Sequence, residues 1–272
     1  MTTAGERIEL AAPPGFAERW AATGWSVIPP VAQPPLMNMA LDEVLTERVG
    51  AGDLGPTIRF WAWSAPCVVL GRFQSVRNEV NEENAAASGI QVVRRISGGG
   101  AMFIEPEGAI TWSVYAPESL VAGYSFPESY AALDSWAIRA LRGLGVDAWY
   151  APMNDITSAN GKIGGAAQAR RLGAVLHHTT MAYEMNVPLM LQTLRIGQEK
   201  LSDKGTRSAD KRVGPLRQQT DLPRDAIIER LRGELVRSGP VTPAELRPAD
   251  LAEAERRASE RFARREWTHL LP

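Results

Sequence analysis

The sequence predicts an α+β protein built on a mixed, mainly antiparallel sheet that is flanked by helices. Several runs rich in β-branched and aromatic residues indicate strands, at 57–72, 90–97 and 109–117. A further segment, 160–187, alternates on both sides of "RRLG", which is typical of a β-hairpin. Amphipathic helical patterns lie between and after these strands, and helices in that arrangement pack onto a sheet.

Composition argues against two classes of partner. The chain has 272 residues with 30 Lys and Arg against 31 Asp and Glu, so nothing in its net charge attracts nucleic acid or an anionic membrane. The sequence contains no run of about 18 apolar residues and no secretory signal pattern. The single cysteine, Cys67, cannot form an internal disulfide, and no CxxC motif is present to hold zinc. We therefore expect a cytoplasmic protein that binds neither nucleic acid nor membrane.

The chain is expected to form a single domain preceded by an extension. Residues 1–24, rich in Ala, Pro and Gly, predict a loosely held N-terminal extension, and 25–272 predict one domain that ends in a charged helix. At the start of this domain "WSVIPP" indicates a strand that ends at its Pro-Pro pair. The spacing of apolar residues then predicts a helix from about Leu36 with Gly50 as its C-cap.

The middle of the chain supplies further elements. The segment 57–72 contains two β-rich runs around Ser-Ala-Pro, which predicts a hairpin-like pair with Cys67 on its second strand. A short helix closed by Gly89 is expected next, and then a strand that runs into three glycines. A helix from about Glu128 to Leu144 and a strand near "DAWYAP" precede the predicted hairpin.

Three consecutive glycines, Gly98, Gly99 and Gly100, follow two arginines in "RRISGGGAMF". Bare backbone between strands serves either a tight turn or the close approach of a ligand, and the residues alone leave both alternatives open. The motif matches neither GxxxxGK[ST] nor a GxGxxG that opens a helix. Backbone N–H groups beside Arg94 and Arg95 would still suit an anionic ligand such as a phosphate or a carboxylate.

A second glycine-rich element, "NDITSANGKIGGAAQ", contains Asn154, Asp155 and Lys162. Its Asn-Gly pair predicts a tight turn that holds Lys162 at the start of a strand. A lysine in such a place is most often simply solvated. However, the amide and carboxylate before it offer oxygen ligands of the kind that Mg²⁺ accepts beside phosphate. Together these residues indicate nucleotide chemistry.

Two adjacent histidines, His177 and His178, lie in a predicted strand. Successive side chains of a strand point to opposite faces of the sheet, so the pair cannot easily bind one metal ion. We expect one histidine to be exposed and the other to be a core or pocket residue with a hydrogen bond.

Six motifs follow one another along about residues 36–216: "GRFQ…EVN", "RRISGGGAMF", "GAITWSV", "ND…GKIGGAAQ", "HHTT" and "KLSDKGTRSADKRV". Their order and spacing resemble those of the lipoate-protein ligases, a group related to biotin ligases and to lipoyl and octanoyl transferases. The resemblance implies the biotin/lipoate ligase type of fold, with 25–272 as the catalytic domain. It also implies ATP and Mg²⁺ as cofactors and lipoate as substrate. Lipoate would become lipoyl-adenylate (lipoyl-AMP), and a lysine of an acceptor protein would then take the lipoyl group.

The resemblance also implies roles for individual residues. Lys162 would be the catalytic lysine, because its cation can stabilise negative charge during adenylation and transfer. The lipoyl group would be bound by Trp63, Arg95, Gly98, Gly99, Gly100 and His178. The nucleotide would be bound by Met102, Phe103, Asn154, Asp155 and Lys162, with Asp155 also placed to bind the metal. Gly71, Arg72 and Gln74 form the matching "GR.Q" element.

The chain departs from the family pattern in three places, one of which is "HHTT" where the family usually has "HHGT". Ile104 and Glu105 replace a His-Asp pair, so the polar role of that histidine is lost or moved. The chain also resembles the short form that lacks a C-terminal accessory domain. The resemblance therefore implies a small separate accessory subunit for adenylation, beside a lipoyl-acceptor protein such as an H protein, an E2 lipoyl domain or a related protein.

Three alternatives stay open. An octanoyl or lipoyl transferase works without ATP and passes the acyl group through a cysteine thioester, for which Cys67 is the only candidate. A biotin ligase is disfavoured because "GRFQSVRN" stands where that family has a GRGR loop. A non-catalytic subunit that binds lipoate or its adenylate is disfavoured by the presence of Lys162.

Overall fold

A computed structural model describes residues 8–195 and 213–271. Most of the motif "KLSDKGTRSADKRV" therefore lies outside the described residues. The strands are β1 (Trp25–Gln33), β2 (Thr57–Trp63), β3 (Cys67–Leu70), β4 (Gln91–Arg94), β5 (Met102–Ile104), β6 (Ala109–Pro117), β7 (Trp149–Ala151), β8 (Asp155–Ser158), β9 (Gly161–Arg171), β10 (Ala174–Ala182) and β11 (Val241–Pro243).

The strands form two sheets. The larger sheet has eight strands in the order β11-β1-β2-β6-β10-β9-β8-β7, and the smaller has three in the order β4-β3-β5. In the larger sheet β1 pairs in parallel with β2 and β11, whereas the remaining pairs are antiparallel. The predicted mixed, mainly antiparallel sheet is thereby confirmed.

Most of the helices that the structure describes flank the larger sheet on both faces. The described helices are α1 (Phe16–Ala22), α2 (Pro35–Ala51), α3 (Val76–Glu79), α4 (Glu82–Ala87), α5 (Phe126–Leu133), α6 (Ser135–Gly143), α7 (Val187–Thr193), α8 (Arg224–Ser238), α9 (Pro248–Arg257) and α10 (Arg265–Thr268), with a π-helical turn at Ala258–Phe262. Helices α3, α4 and α7 instead pack against the smaller sheet. One core layer holds Trp112 and Trp136 with α1, α5, α6 and α8. The other holds Tyr115 and Leu176 with α2 and the C-terminal helices. The predicted α+β class is therefore confirmed.

The hairpin predicted within 160–187 is present. Strands β9 and β10 pair from Ala174–Arg171 to Met181–Gly164. The two residues between the strands, Leu172 and Gly173, have φ of 54° and 77°, the left-handed conformation that two-residue hairpin turns of this kind need.

Three predicted elements differ in the structure. Strand β1 continues through Pro29 and Pro30, where its pairing with β2 shifts register, because the irregularity removes the need for their missing N–H groups. Strands β2 and β3 belong to different sheets, so 57–72 is not a hairpin. The helix expected from about Glu128 to Leu144 is two helices, which meet at the buried Asp134.

Two smaller differences concern helix α1 and the end of α2. Helix α1 lies within the expected loose extension 1–24, but its Phe16 and Trp20 are buried in the core, so that part of the extension is packed. The C-cap of α2 is Gly52 (φ 80°), not Gly50. A Cβ on Gly50 would lie 2.1 Å from the carbonyl oxygen of Leu172, so this glycine instead allows the helix to contact the β9–β10 turn. Among the described residues, no helix is long and apolar enough to cross a membrane.

Candidate active site

A pocket of about 610 Å³ opens between β5, β9, β10 and α7. Its walls are mostly apolar, with Met102, Phe103, Ile163, Ala166, Met181, Met190 and Leu191 among the lining residues. Its polar groups include Arg95, Asn154 and Lys162. The pocket therefore combines an apolar body with a few polar groups, the usual composition of a site for a small or chain-like ligand.

Lys162 lies in the pocket wall at the start of β9, as predicted. A two-residue connection joins β8 to β9, and Gly161, the first residue of β9, takes φ 121°, which favours glycine. Lys162 Nζ lies 2.7 Å from Asp155 Oδ1. A Cβ on Gly165 would lie 3.1 Å from Lys162 Nζ, so the bare glycine leaves room for the lysine to fold along the strand.

Asn154 is held on the backbone of β9. Its Nδ2 donates to the carbonyl oxygen of Ala166 at 2.6 Å, and its own carbonyl accepts from the Ala166 N–H at 2.9 Å. The structure therefore brings Asn154, Asp155 and Lys162 together. No group of three or more His, Cys, Asp or Glu side chains that could hold a metal ion occurs among the described residues. Metal binding by Asp155 and nucleotide binding by all three stay predictions.

Arg95 binds the backbone of the glycine segment, residues 98–100. Its Nη2 donates to the carbonyl oxygens of Gly98 at 2.6 Å and Gly100 at 2.9 Å, and its Nε donates to Ser97 Oγ at 3.0 Å. Burial lowers the pKa of Arg95 to about 10, so the guanidinium stays charged at neutral pH. Arg95 and Gly100 both line the pocket. A cation is therefore fixed at the pocket wall by the backbone of the glycine segment.

Arg94 points away from the site. Its Nε and Nη2 donate to the carbonyl oxygens of Trp267 and Thr268, and its Nη1 donates to that of Gly71 at 2.8 Å. The possibility that both arginines of "RRISGGGAMF" serve one anion is thus not supported. Arg94 instead binds α10 to β4, because adjacent strand residues face opposite sides.

The "GR.Q" element supports the glycine segment. A Cβ on Gly71 would lie 2.0 Å from the carbonyl oxygen of Gly99, so only glycine fits without a backbone shift. Gly99 has φ 88°, which also favours glycine. The Gly71 N–H donates to Gln74 Oε1 at 2.9 Å. Gly99 is therefore closely packed against Gly71, and Gly100 lies in the pocket wall.

The two histidines point to opposite faces, as predicted, but both are buried, so the expectation that one would be exposed is wrong. His177 Nε2 lies 3.0 Å from Asp134 Oδ1. His178 Nδ1 lies 2.7 Å from Asp42 Oδ2, and its Nε2 lies 2.7 Å from Ser97 Oγ. Each buried histidine is paired with a carboxylate, Asp134 between α5 and α6 or Asp42 in α2, which offsets the cost of its burial.

The remaining predicted residues divide between pocket and core. Met102 and Phe103 line the pocket, whereas Trp63 is buried and donates through Nε1 to Thr111 Oγ1 at 3.2 Å. Of the two residues that depart from the family pattern, Ile104 is buried in the core, and Glu105 Oε2 accepts the Asn186 N–H just before α7. Substrate roles for Trp63, Met102 and Phe103 stay predictions.

Sequence reasoning missed a buried polar cluster around Asp42 in α2. Asp42 Oδ1 accepts from Tyr115 Oη at 2.5 Å, Ser113 Oγ at 2.9 Å and Arg59 Nη2 at 3.3 Å. The signal was a carboxylate in the middle of an otherwise apolar helix face, which must be hydrogen-bonded when buried.

Cys67 lies at the start of β3, the central strand of the smaller sheet, and is completely buried. Burial raises the pKa of its thiol far above the ordinary value, which disfavours the thiolate. Cys67 does not line the pocket. The structure therefore contradicts the part of the transferase alternative that made Cys67 a nucleophile.

Comparison with known proteins identifies the family. The model of the lipoyl protein ligase A/B catalytic domain matches residues 34–236, and the chain belongs to this family. An "Octanoyltransferase LipM" from Symbiobacterium thermophilum is 31% identical over 196 residues, covering 64% of this chain and 70% of that protein. A relative with the same name from Halalkalibacterium halodurans is 26% identical over 274 residues, covering 89% of this chain and 98% of that protein.

The fold is similar to that of a solved structure from Thermoplasma acidophilum, described as a bi-partite lipoate protein ligase and its E2 lipoyl domain. The TM-score is 0.78 at 23% identity, with 92% of this chain and 98% of that chain covered. The predicted family and fold type are thus confirmed.

The names of the curated relatives correct our functional prediction. These relatives are octanoyltransferases, so the prediction of an ATP-dependent, AMP-producing lipoate-protein ligase is wrong. The findings favour the transferase alternative. The error has a physical reason, because one fold can host different reactions, and the motifs describe a pocket and its lysine without showing which acyl donor is used.

Proposed function

We propose that the chain transfers an octanoyl group from a thioester donor, such as octanoyl-acyl carrier protein, to a lysine of a lipoyl-acceptor protein without ATP. The acceptor would be an H protein, an E2 lipoyl domain or a related protein. The names of the relatives support the reaction class. The observation that carries the proposal is the apolar pocket with Lys162 and Arg95 in its walls.

The pocket suits a saturated acyl chain. Ala166, Met181 and Met190 are buried and contribute apolar lining. Each methylene that leaves water for such a lining contributes about 0.8 kcal/mol. An octanoyl chain offers several methylenes and no polar group along its length, so the apolar body of the pocket matches it.

Lys162 would stabilise the oxyanion of the transfer step. Its ammonium is held by Asp155, and the lysine side chain is 39% exposed, so a substrate carbonyl can approach it. Aminolysis of a thioester passes through a tetrahedral intermediate whose oxygen carries negative charge. A cation fixed at that point lowers the barrier without reorganisation.

The proposed transfer does not use the thiol of Cys67, because that thiol is buried and lies outside the pocket. The predictions of ATP and Mg²⁺ as cofactors, and of a separate accessory subunit, depended on adenylation and form no part of this proposal. Cytoplasmic localisation remains consistent with an acyl carrier protein as donor and stays a prediction.

The proposal is tested by incubating the purified chain with octanoyl-acyl carrier protein and a lipoyl domain in buffer free of nucleotide and containing EDTA. Intact mass spectrometry of the lipoyl domain should show one added octanoyl group. A lipoyl domain with its target lysine changed to arginine is the matched control and should stay unmodified. An unmodified wild-type lipoyl domain would contradict the proposal and favour a non-catalytic acyl-binding role.

A further inference from the structure

Three buried side chains next to the pocket form one hydrogen-bonded series. Asp42 Oδ2 lies 2.7 Å from His178 Nδ1, and His178 Nε2 lies 2.7 Å from Ser97 Oγ. Asp42 is on α2, His178 is on β10, and Ser97 directly precedes the glycine segment. The larger sheet, a helix and the loop after β4 are therefore folded so that an acid, an imidazole and a hydroxyl meet.

The partners of these groups assign the protons. Asp42 Oδ1 accepts from Ser113 and Tyr115 and pairs with the Arg59 cation, which leaves Asp42 Oδ2 to accept the hydrogen of His178 Nδ1. His178 Nε2 is then the acceptor for the Ser97 hydroxyl. Burial lowers the pKa of His178, which stays below its usual value although Asp42 raises it. The imidazole is therefore neutral at neutral pH.

Arg95 connects this series to the pocket. Its Nε donates to Ser97 Oγ at 3.0 Å, while the same side chain lines the pocket. Ser97 is 1% exposed behind Arg95 and the glycine segment. For a donor carbonyl to reach Ser97 Oγ, the Arg95 guanidinium would have to turn from the hydroxyl toward the carbonyl oxygen. There the guanidinium can stabilise the developing oxyanion.

Ser97 has an adjacent base that could activate it as a nucleophile, whereas Cys67 is buried and protonated. A hydroxyl becomes a nucleophile when an adjacent base takes its proton and a third group orients that base. Ser97 has both partners in hydrogen-bond range, whereas Cys67, the single cysteine of the sequence, is buried in β3 with its thiol protonated.

We propose that Ser97 Oγ carries the octanoyl group as an ester between donor and acceptor, with His178 as general base and Asp42 as its positioning residue. This inference rests on the proposed octanoyl transfer. Ser97 Oγ bonds to the acyl carbon as the thioester C–S bond breaks, and the Ser97 proton passes through His178 Nε2 to the leaving sulfur. The acceptor amine then attacks the ester, and the serine oxygen regains a proton as the amide forms.

A purely structural role for these hydrogen bonds predicts a different result. The bonds would then hold only the glycine segment, and no acyl group would become attached to Ser97. Covalent modification therefore separates the two roles, because loss of structure cannot produce it.

The test omits the acceptor. The full-length chain is mixed with octanoyl-acyl carrier protein, quenched in acid, and examined by intact mass and peptide mapping. We expect one octanoyl group on the Ser97 peptide, resistant to neutral hydroxylamine as an oxyester is. The adduct should be absent in Ser97→Ala and retained in Cys67→Ala, a matched control outside the pocket. Ser97→Cys should give an adduct that hydroxylamine removes, which keeps the test decisive if Ser97→Ala fails to fold.

A parallel reaction with a lipoyl domain separates this inference from the proposed function. An octanoylated domain without an ester on Ser97, or full transfer by folded Ser97→Ala, overturns the inference and leaves the proposed function standing. An ester on Ser97 with an unmodified domain supports the inference and overturns the proposed acceptor step. If neither the Ser97 ester nor the octanoylated domain forms, both the inference and the proposed function are overturned. With both products, Ser97→Ala should lower the transfer rate by about 10³-fold or more.

Discussion

Lys162 Nζ and Asp155 Oδ1 lie 2.7 Å apart, on adjacent strands at the edge of the pocket. The pair exists because Gly165, opposite Asp155 in the β8–β9 register, has no side chain to separate them. The ammonium is thereby held at one place in the pocket wall, where a substrate carbonyl can reach it.

Replacing this cation should slow transfer. Lys162→Met keeps most of the side-chain volume and removes the charge, so we expect kcat for octanoyl transfer to fall by about 100-fold or more, as for loss of an oxyanion-stabilising group. Initial rates of lipoyl-domain modification measure this effect. Lys162→Arg, which keeps a cation, should retain more activity than Lys162→Met. Equal rates for wild type and Lys162→Met would remove the lysine from the mechanism.

Filling the pocket should change the preferred chain length. Ala166 is buried and lines the pocket, so Ala166→Leu should shorten the space for the acyl chain. We expect kcat/KM for an octanoyl donor to fall by about 10-fold relative to that for a butanoyl donor, since each displaced methylene loses about 0.8 kcal/mol. Ala51→Leu, at the exposed end of α2, is the control and should change neither value. An unchanged ratio in Ala166→Leu would place the acyl chain elsewhere.

The contact between Gly71 and Gly99 should be intolerant of a side chain. A Cβ at Gly71 would lie 2.0 Å from the Gly99 carbonyl oxygen, so Gly71→Ala must displace the glycine segment. We expect the free energy of unfolding to fall by about 1–3 kcal/mol, and transfer to weaken as well. A Cβ at Gly55 would have no atom within 4 Å, so Gly55→Ala is the matched control. Urea unfolding compares the two, and equal stabilities would show that the segment is not closely packed.

Protonation of His178 should lower the rate of octanoyl transfer at acidic pH. Burial lowers its pKa from the usual 6.5, with Arg95 and His177 acting in the same direction and Asp42 opposing them. Only the neutral imidazole can accept the Ser97 proton. We therefore expect kcat to stay constant as the pH is lowered to 6.5, and to decrease at lower pH. Tryptophan fluorescence over the same range checks that the fold persists. An acid limb that begins well above that value would exclude His178 as the base.

Local patterns predicted much of the fold. The "RRLG" hairpin and the "NG" turn before Lys162 were found because glycine and asparagine carry their backbone preference with them. The strand through Pro29 and Pro30 was cut short in the prediction, because only pairing with β2 reveals the register shift that accommodates the two prolines. The break at Asp134 was missed for a similar reason, since Thr179 and His177 on β10 bind its carboxylate.

The sequence predicted the residues of the candidate site that lie within glycine-rich motifs. Lys162, Asp155 and Arg95 were chosen from their glycine-rich surroundings, and the structure places all three at or beside the pocket. Asp42 and Ser97 were missed because their importance depends on His178, which is distant from both in the sequence. The distinction between ligase and transferase was also missed, since it depends on the acyl donor and not on the pocket that the motifs describe.

Transfer of an octanoyl group without nucleotide distinguishes the proposed transferase from a ligase. The most direct measurement compares, by intact mass, a lipoyl domain incubated with this chain and either octanoyl-acyl carrier protein alone or free octanoate with ATP and Mg²⁺. We expect one added octanoyl group in the first reaction and none in the second. Modification only in the reaction with free acid, ATP and Mg²⁺ would contradict this expectation.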